Sequence, residues 1–575
     1  MLFYGLFALA CYLGWRLYDV QIVHGGVYAR DAHRQQSALF RVSARRGSIS
    51  TSDGVLLARS LPSQSVYADA SARAGVSATA ARLAPVLHEP AAAIANRILA
   101  QRFNHSIAWK IPDAQAKAIR ALALPGINVQ DETTGKRFVP SGELASTVLG
   151  FVGRDDNGLA GVEYAFDDIL RGRPGLETLE TDEFARALPF SKAHYVEAPK
   201  SGDDIVLTLD SYLQFTTQRA LADTVHRFSA RSGTAIVMDP QTGAILALAN
   251  VPNYDVREYA RYPPDDWRDR AVTDAYEPGS TFKLVTAAAA LESGRVTTAS
   301  QFATRDRMEI GGATIYNAED GFMAGTGSSE TLADIIAYSH NVGAAEVGLA
   351  IGRRAFYRQV RKFGFGDETA IGLPGESAGI VPPPSRWSAT SLATMSFGQG
   401  VAVTPLALIR AYAAIANGGW LLRPRILDAI VAPDGRVVYR YGREVERRAL
   451  SARTAATLRG FLRAVVLRGT GNPSAHVAGY TTAGKTGTAQ IAEGGGYAPG
   501  EYTASFVGFI PAERPRFVIL VKVERPRGSI YGSVVAAPAF AQIARTCMLH
   551  AGVMPQLDPP RRRLVGPTRT SKPRE

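Results

Sequence analysis

Glu277-Pro278-Gly279-Ser280-Thr281-Phe282-Lys283 is the stretch on which the reading of the fold turns. Pro278 and Gly279 mark a turn, and the residues after it, Leu284-Val285-Thr286-Ala287-Ala288, are mostly good helix formers. The sequence therefore predicts Ser280 at a helix N-terminus, with Lys283 one turn later on the same face. A serine hydroxyl is a weak nucleophile and needs a base within reach. Lysine can be that base if burial or nearby positive charge lowers its pKa; arginine cannot, because it stays protonated. A helix N-terminus also offers backbone N–H groups to a developing oxyanion. Of the ten lysines in the chain, only Lys283 has a serine three residues before it. Standing alone, the pattern reads more readily as an N-capping serine followed by a solvated lysine.

Two further stretches change that balance. Ser339-His340-Asn341 follows the helical segment Thr331 to Tyr338. Hydroxyl and amide on alternate residues of a short loop can point into one cleft. Ser339 is a candidate proton shuttle, and Asn341 a candidate to hold both Lys283 and a substrate carbonyl. Gly484-Lys485-Thr486-Gly487-Thr488-Ala489-Gln490 lies among strand-like neighbours. Its small residues let an extended peptide approach and pair with the strand edge. Lys485 brings positive charge, Thr486 a hydroxyl, and Thr488 a backbone N–H for the oxyanion. Each stretch alone is an ordinary polar loop or surface turn. Ser-x-x-Lys, Ser-x-Asn and Lys-Thr-Gly in this order form a specific set. His340 stands where that pattern has Asp in its middle triplet.

Outward from these motifs, a strand-like Ile205 to Asp210 leads to a helix over Leu213 to Phe228. A hairpin follows, Gly233 to Met238 and Ala244 to Ala249 about the turn Asp239-Pro240-Gln241-Thr242-Gly243. The middle, 280 to about 420, reads as mostly helical. Strand signals return at Gly479 to Ala489, Thr503 to Ile510 and Phe517 to Val523, then a helix from Val535 to Leu549. Helices inserted into a sheet built from both ends of a segment predict an α+β fold, an antiparallel sheet flanked by helices. Residues 24–200 read as an extended mixed α/β module without a catalytic cluster. Within it, Ile49 and Val55 to Ala58 flank a turn, and Ala80, Leu83, Leu87, Ile94 and Ile98 have helical spacing.

The chain has 575 residues, a formal charge of +12, and 46% hydrophobic residues. That composition fits several globular domains. The basic surface carries no zinc-finger spacing and no aromatic-interleaved basic stripe, so nucleic acid is not an expected partner. Two cysteines, Cys11 and Cys547, are too few for a structural metal site and poorly placed for a bridge. No cofactor or metal is expected. Leu2 to Trp15 is almost wholly apolar, and the stretch extends to Val23 only by including Arg16 and Asp19. It lacks a basic leader and a small-x-small cleavage site, so it reads as a signal-anchor with a short or missing cytoplasmic tail. The expected organisation is 1–23 anchor, 24–200 pedestal, 201–552 catalytic domain, and 553–575 a basic, proline-containing disordered tail.

The three motifs and their surroundings resemble class B penicillin-binding proteins, most closely the division-specific FtsI type. Arg46-Gly47-Ser48-Ile49 with Asp53-Gly54 is similar to the family's opening motif, although Ser52 stands where an Arg is usual. Arg137 to Gly142, Gly150 to Gly153 and Gly158 to Glu163 resemble its pedestal motifs. Asp239-Pro240, Phe397-Gly398-Gln399-Gly400, Thr404-Pro405, Ala416 to Gly419 and Tyr502 to Gly508 resemble its transpeptidase signatures. The resemblance implies a peptidoglycan D,D-transpeptidase on a single-pass anchor in the bacterial inner membrane. Its catalytic domain would be periplasmic or extracellular, at the division septum. Ser280 would attack the penultimate D-Ala of a stem peptide ending in D-Ala-D-Ala, and β-lactams would acylate the same serine. Expected catalytic residues are Ser280, Lys283, Ser339, Asn341 and Lys485, with Thr486, Gly487 and Thr488 binding substrate. Expected partners are a SEDS-family glycosyltransferase and other divisome proteins. The alternatives are an elongation-specific transpeptidase, a serine β-lactamase or β-lactam sensor, and a silent wall-binding scaffold.

Overall fold

Ser232–Met238 is buried at every residue and Phe517–Glu524 at all but the last, as in strands covered on both faces. The computed structural model describes residues 2–28, 30, 37–100, 106–132, 135–180, 194–317 and 329–556. Ser232–Met238 (β1), Ile245–Val251 (β2), Ala483–Glu493 (β3), Gly496–Ile510 (β4) and Phe517–Glu524 (β5) form one antiparallel sheet, ordered β2-β1-β5-β4-β3. Alternate residues feed two cores. Ala235, Val237, Phe506, Ile519 and Val521 pack with Leu221 of helix Ser211–Arg227 and Phe540 and Ile543 of helix Ala537–His550. Ile236, Met238, Val507, Val518 and Leu520 face the helical layer. At the centre of that layer is Pro405–Ala416, every residue of which is buried. Thr404 caps it, with Pro405 in the first turn, where a missing N–H costs nothing.

The α+β expectation holds. The middle is helical, with Lys283–Ser293, Leu332–Tyr338, Asn341–Ile351 and Arg353–Lys362 as its main pieces. Short strands interrupt it, however: Gln301–Ala303 pairs with Ser329–Thr331, and Arg307–Ile310 with Ala313–Tyr316. These strands are three or four residues long, too short for periodicity to reveal.

A second sheet has six strands, ordered Val437–Arg440, Leu427–Val431, Asp204–Leu207, Ile49–Ser50, Leu56–Leu61 and Lys136–Phe138. Asp204–Leu207 pairs with Leu427–Val431 on one side and Ile49–Ser50 on the other. One hydrogen-bonded sheet thus joins N-terminal and C-terminal segments. Three stretches that the sequence reading takes separately meet beside it. The Arg46 guanidinium, 1% exposed as a residue, donates to Glu163 Oε2 at 2.7 Å and to Asp167 Oδ1 at 2.6 Å. Arg137 Nε donates to the other Glu163 oxygen at 2.7 Å. Burial lowers the Arg46 pKa, and the two carboxylates more than restore it, so the net shift is upward. A smaller core, including Val66, Leu83, Ile94, Ile98 and Ile107, lies under helices Val76–Leu87 and Ala91–Ala100.

At the N-terminus, Leu2–Val23 is a helix of 22 residues with none buried, and an 18-residue stretch of it has mean hydropathy 1.2. It is long and apolar enough to cross a membrane. Arg16 pairs with Asp19 within it at 2.6 Å. The expected basic tail lies, from 557 onward, outside the described residues.

Candidate active site

Ser280 sits in a short 3-10 turn, Gly279–Phe282, and the α-helix begins at Lys283. The sequence reading places Ser280 at the start of the helix itself; the structure inserts this tighter turn first. The turn is held from several sides. Thr281 Oγ1 donates to the Pro278 carbonyl at 2.7 Å, and the Tyr412 hydroxyl donates to the Thr281 carbonyl at 2.9 Å. Just before it, Glu277 accepts from the Gly400 N–H at 2.8 Å and from the Tyr497 hydroxyl at 3.0 Å. Ser280 is half-buried, and its hydroxyl faces Lys283.

Lys283 is wholly buried. Its Nζ lies 3.0 Å from Ser280 Oγ, 3.1 Å from Ser339 Oγ and 2.8 Å from Asn341 Oδ1, and it also meets the Ser339 carbonyl. Burial pushes its pKa well below the usual lysine value; the charge of Lys485 adds to that, and Glu330 opposes it. In the neutral form the amine has two hydrogens and one lone pair. The hydrogens satisfy Asn341 and Ser339, and the lone pair is left for the Ser280 proton. That is the geometry of a nucleophile and its base.

The Ser339–Asn341 loop joins two helices. Ser339 ends Leu332–Tyr338 in the left-handed region, φ 65°, and Asn341 opens the next helix. Asn341 Nδ2 donates to the Tyr316 carbonyl at 2.9 Å, which turns Oδ1 toward Lys283. Asn317 Oδ1 accepts from the Asn341 and Val342 N–H groups at 2.8 and 3.1 Å and fixes the start of that helix.

The Lys-Thr-Gly stretch lies on β3, the edge strand of the central sheet. Its partner β4 occupies one side, with Lys485 opposite Val507 and Gly487 opposite Ser505. A Cβ on Gly487 would stand 2.4 Å from Ser505 Oγ and 2.9 Å from Thr281 Cγ2, so β3 runs close along the Ser280 turn. Lys485 is wholly buried, and burial lowers its pKa to about 7. Its Nζ donates to Thr486 Oγ1 at 3.2 Å and to the Thr486 carbonyl at 3.3 Å. Thr488 Oγ1 accepts from the Gly532 N–H at 3.2 Å.

The structure thus brings Ser280, Lys283, Ser339 and Asn341 into direct contact and sets the Lys485–Thr488 strand beside them. It also adds residues that the sequence reading passes over. Thr470 Oγ1 lies 2.7 Å from Thr486 Oγ1 and 3.5 Å from Lys485 Nζ. Glu330 acts on Lys283 from a separate segment. Glu277 opens the stretch Glu277–Lys283 with no role assigned by sequence, and gains one by accepting from Gly400 and Tyr497. No local pattern marks Thr470 or Glu330, because each gains its place only through folding. A cavity of about 610 Å³ lined by Gln241, Asn417, Arg459, Arg514 and Arg516 lies apart from this constellation and holds none of its residues.

An α+β domain with a serine–lysine pair, a Ser-x-Asn loop and an edge-strand Lys-Thr-Gly defines the penicillin-recognising serine acyltransferases. The family described as penicillin binding protein transpeptidase domain matches residues 233–545, and that described as penicillin-binding protein dimerisation domain matches residues 41–207. Stage V sporulation protein D of Bacillus subtilis is 34% identical over 97% of this chain and 86% of its own length. Peptidoglycan D,D-transpeptidase FtsI of Escherichia coli K12 is 33% identical over 94% of this chain and 89% of its own. The crystal structure of penicillin-binding protein 3 from Mycobacterium tuberculosis, complexed with aztreonam, superposes with a TM-score of 0.70 at 30% identity, covering 91% of this chain and 99% of that one. The chain belongs to the class B penicillin-binding proteins, of the FtsI type.

Proposed function

We propose that the chain is a serine-type D,D-transpeptidase that cross-links peptidoglycan stem peptides, with Ser280 as the acylated nucleophile. The observation that carries this reading is the contact of Ser280 Oγ with a wholly buried Lys283 whose pKa is well below that of a free lysine. Lys283 takes the Ser280 proton as Oγ attacks the penultimate D-Ala carbonyl. Backbone N–H groups of Ser280 and Thr488 receive the oxyanion. The peptide C–N bond breaks, and the proton passes from Lys283 through Ser339 to the departing D-Ala amine. The amine of a neighbouring stem then attacks the ester, and its proton returns along the same path to Ser280. Lys485, Thr486 and Gly487 hold the substrate along β3, with Lys485 and Thr486 facing its carboxylate. Asn341 keeps Lys283 in place.

The chain is divided, in this reading, into an anchor (1–23), a pedestal (24–200), a transpeptidase domain (201–552) and a tail (553–575). The anchor is a single pass through the inner membrane, the catalytic domain is outside the cytoplasm, and the site of action is the septum. A SEDS-family glycosyltransferase supplies the glycan strands. The similarity to FtsI supports the septal assignment.

The test is covalent labelling of the purified full-length chain with a fluorescent penicillin, beside Ser280→Ala. Label that persists for hours in the wild type and is missing from the variant is the expected result. Rapid loss of label points to a β-lactamase instead. A folded wild type that takes no label overturns the nucleophile assignment.

A further inference from the structure

His340 stands in the middle of the Ser339–Asn341 triplet, and the reaction above makes no use of it. Ser339 and Asn341 point toward Lys283, whereas His340 Nδ1 meets Glu330 Oε2 on the other side of the loop. Both residues are buried, His340 at 6% exposure and Glu330 at 4%. Glu330 comes from the short strand Ser329–Thr331, which pairs with Gln301–Ala303 and runs directly into the helix Leu332–Tyr338 that ends at Ser339. Room for its carboxylate is left by Gly343, where a Cβ would lie 2.5 Å from Glu330 Oε1. The Tyr338 ring stacks on His340 at 5.9 Å between centroids. A carboxylate buried this deeply, against one imidazole and behind a catalytic loop, is costly unless it is paired.

We propose that the Glu330–His340 pair is a positioning element for the nucleophile: it locks the Ser339–Asn341 loop onto Lys283 and sets the charge that Lys283 meets from behind that loop. The proposal rests on the reading of Ser280 as nucleophile and Lys283 as its base. Lys283 must be neutral to accept the Ser280 proton. A carboxylate nearby favours the ammonium form, and Glu330 acts on Lys283 in that direction. Among the described residues, other charged groups near the pair have partners of their own. Asp334 accepts from Arg468 at 2.9 Å, and Arg468 lies 5.4 Å above the Tyr338 ring. Glu346 on the adjoining helix has Arg305 at 3.9 Å. Lys485, across the cleft, lowers the pKa of Lys283. His340 therefore fixes where the Glu330 carboxylate sits behind Lys283.

The test is the rate of acylation of the full-length chain by benzylpenicillin, followed across pH. The rising limb of the second-order rate constant reports deprotonation of the base in the free enzyme. Glu330→Gln removes the carboxylate charge and is expected to move that limb toward acid. His340→Gln keeps the carboxylate charge but removes its contact, so the limb is expected to stay while the rate falls with the unlocked loop. The double variant follows Glu330→Gln. Glu330→Asp retains the charge, so the limb stays where it is in the wild type while the rate falls with the looser loop. The limb moves only where the carboxylate charge is removed, and the double variant repeats that test if Glu330→Gln does not fold. A folded Glu330→Gln whose limb coincides with the wild type, or a His340→Gln that is acylated at the wild-type rate, overturns the proposal. A wild type that is not acylated at all removes the nucleophile reading beneath it, which is a different result.

Discussion

The Thr470 hydroxyl lies 2.7 Å from the Thr486 hydroxyl, and Lys485 Nζ reaches both, at 3.5 and 3.2 Å. Three donors from two segments thus converge on one point beside β3. Such a cluster suits a carboxylate, the group shared by a D-Ala terminus and a penicillin. Replacing Thr470 with Val removes one hydroxyl and leaves the shape nearly unchanged. The second-order acylation rate by benzylpenicillin is expected to fall about tenfold, the value of one hydrogen bond to a charged group. Thr470→Ser should restore most of it. Stopped-flow labelling of the three proteins checks this, and equal rates for all three would remove Thr470 from the site.

Lys485 gives a second expectation, in pH. Its pKa is lowered to about 7 by burial alone, so its ammonium is present below that pH and lost above it. In the proposed mechanism that charge holds an anionic β-lactam. Its second-order acylation rate should therefore decline above pH 7, because this constant reports the free enzyme. At saturating β-lactam the bound carboxylate stabilises the ammonium, and the decline should shift to higher pH. The methyl ester of the same penicillin, which has no charge for Lys485 to hold, should show no such decline. Identical profiles for acid and ester would contradict the assignment.

The parts of this site that were legible in the sequence are those whose chemistry is local. Ser280 and Lys283 are one helical turn apart, and the spacing alone puts them in contact. Val237 and Ile519 declare buried strands because apolar residues fill the run on both faces. The charge cluster of Arg46, Arg137 and Glu163 was visible only as separate motifs, since nothing in a linear pattern states that residues 117 positions apart will share a proton network. Glu330 was invisible for a related reason. It lies on a strand of three residues, and its role is defined by a histidine that must fold back to meet it. The 3-10 turn at Ser280 was also beyond reach, because the same turn residues precede either kind of helix start.

Gly398 tests how closely the nucleophile turn is held. It adopts φ +86°, which residues with a Cβ rarely take. An added Cβ would lie 2.1 Å from the Gly279 carbonyl oxygen, a backbone atom that cannot rotate away. The Gly279 N–H donates to the Gly398 carbonyl at 3.1 Å, so any shift of one segment moves the other. Gly398→Ala should cost roughly 1–3 kcal/mol of stability. Its larger effect should be on acylation, slowed about 100-fold by displacement of Ser280 from Lys283. Thermal melting and penicillin labelling together separate the two losses.

Asp269 offers a test of stability away from the chemistry. Its side chain is buried, with Oδ1 accepting from Asn250 Nδ2 at 2.9 Å and from the Ala271 N–H at 3.1 Å, while Oδ2 has no hydrogen-bond partner. Burial is the main cause that raises its pKa from 3.8 to about 7, and the two hydrogen bonds only partly oppose it. The folded protein therefore holds a proton between pH 4 and 7 that the unfolded chain releases. A raised folded-state pKa contributes stability that is complete below the unfolded value and lost as pH rises through the folded one. Wild-type stability from this residue should fall between pH 4 and 7 and stay low above it. Asp269→Asn keeps an acceptor for Asn250 and never ionises, so it should abolish that fall. At pH 8 the variant should be more stable by roughly 4 kcal/mol, and at pH 4 the two should be nearly equal. Melting temperatures of both proteins across this range decide the matter. A wild-type curve that is parallel to the variant's would show that Asp269 is ionised throughout, with its charge compensated.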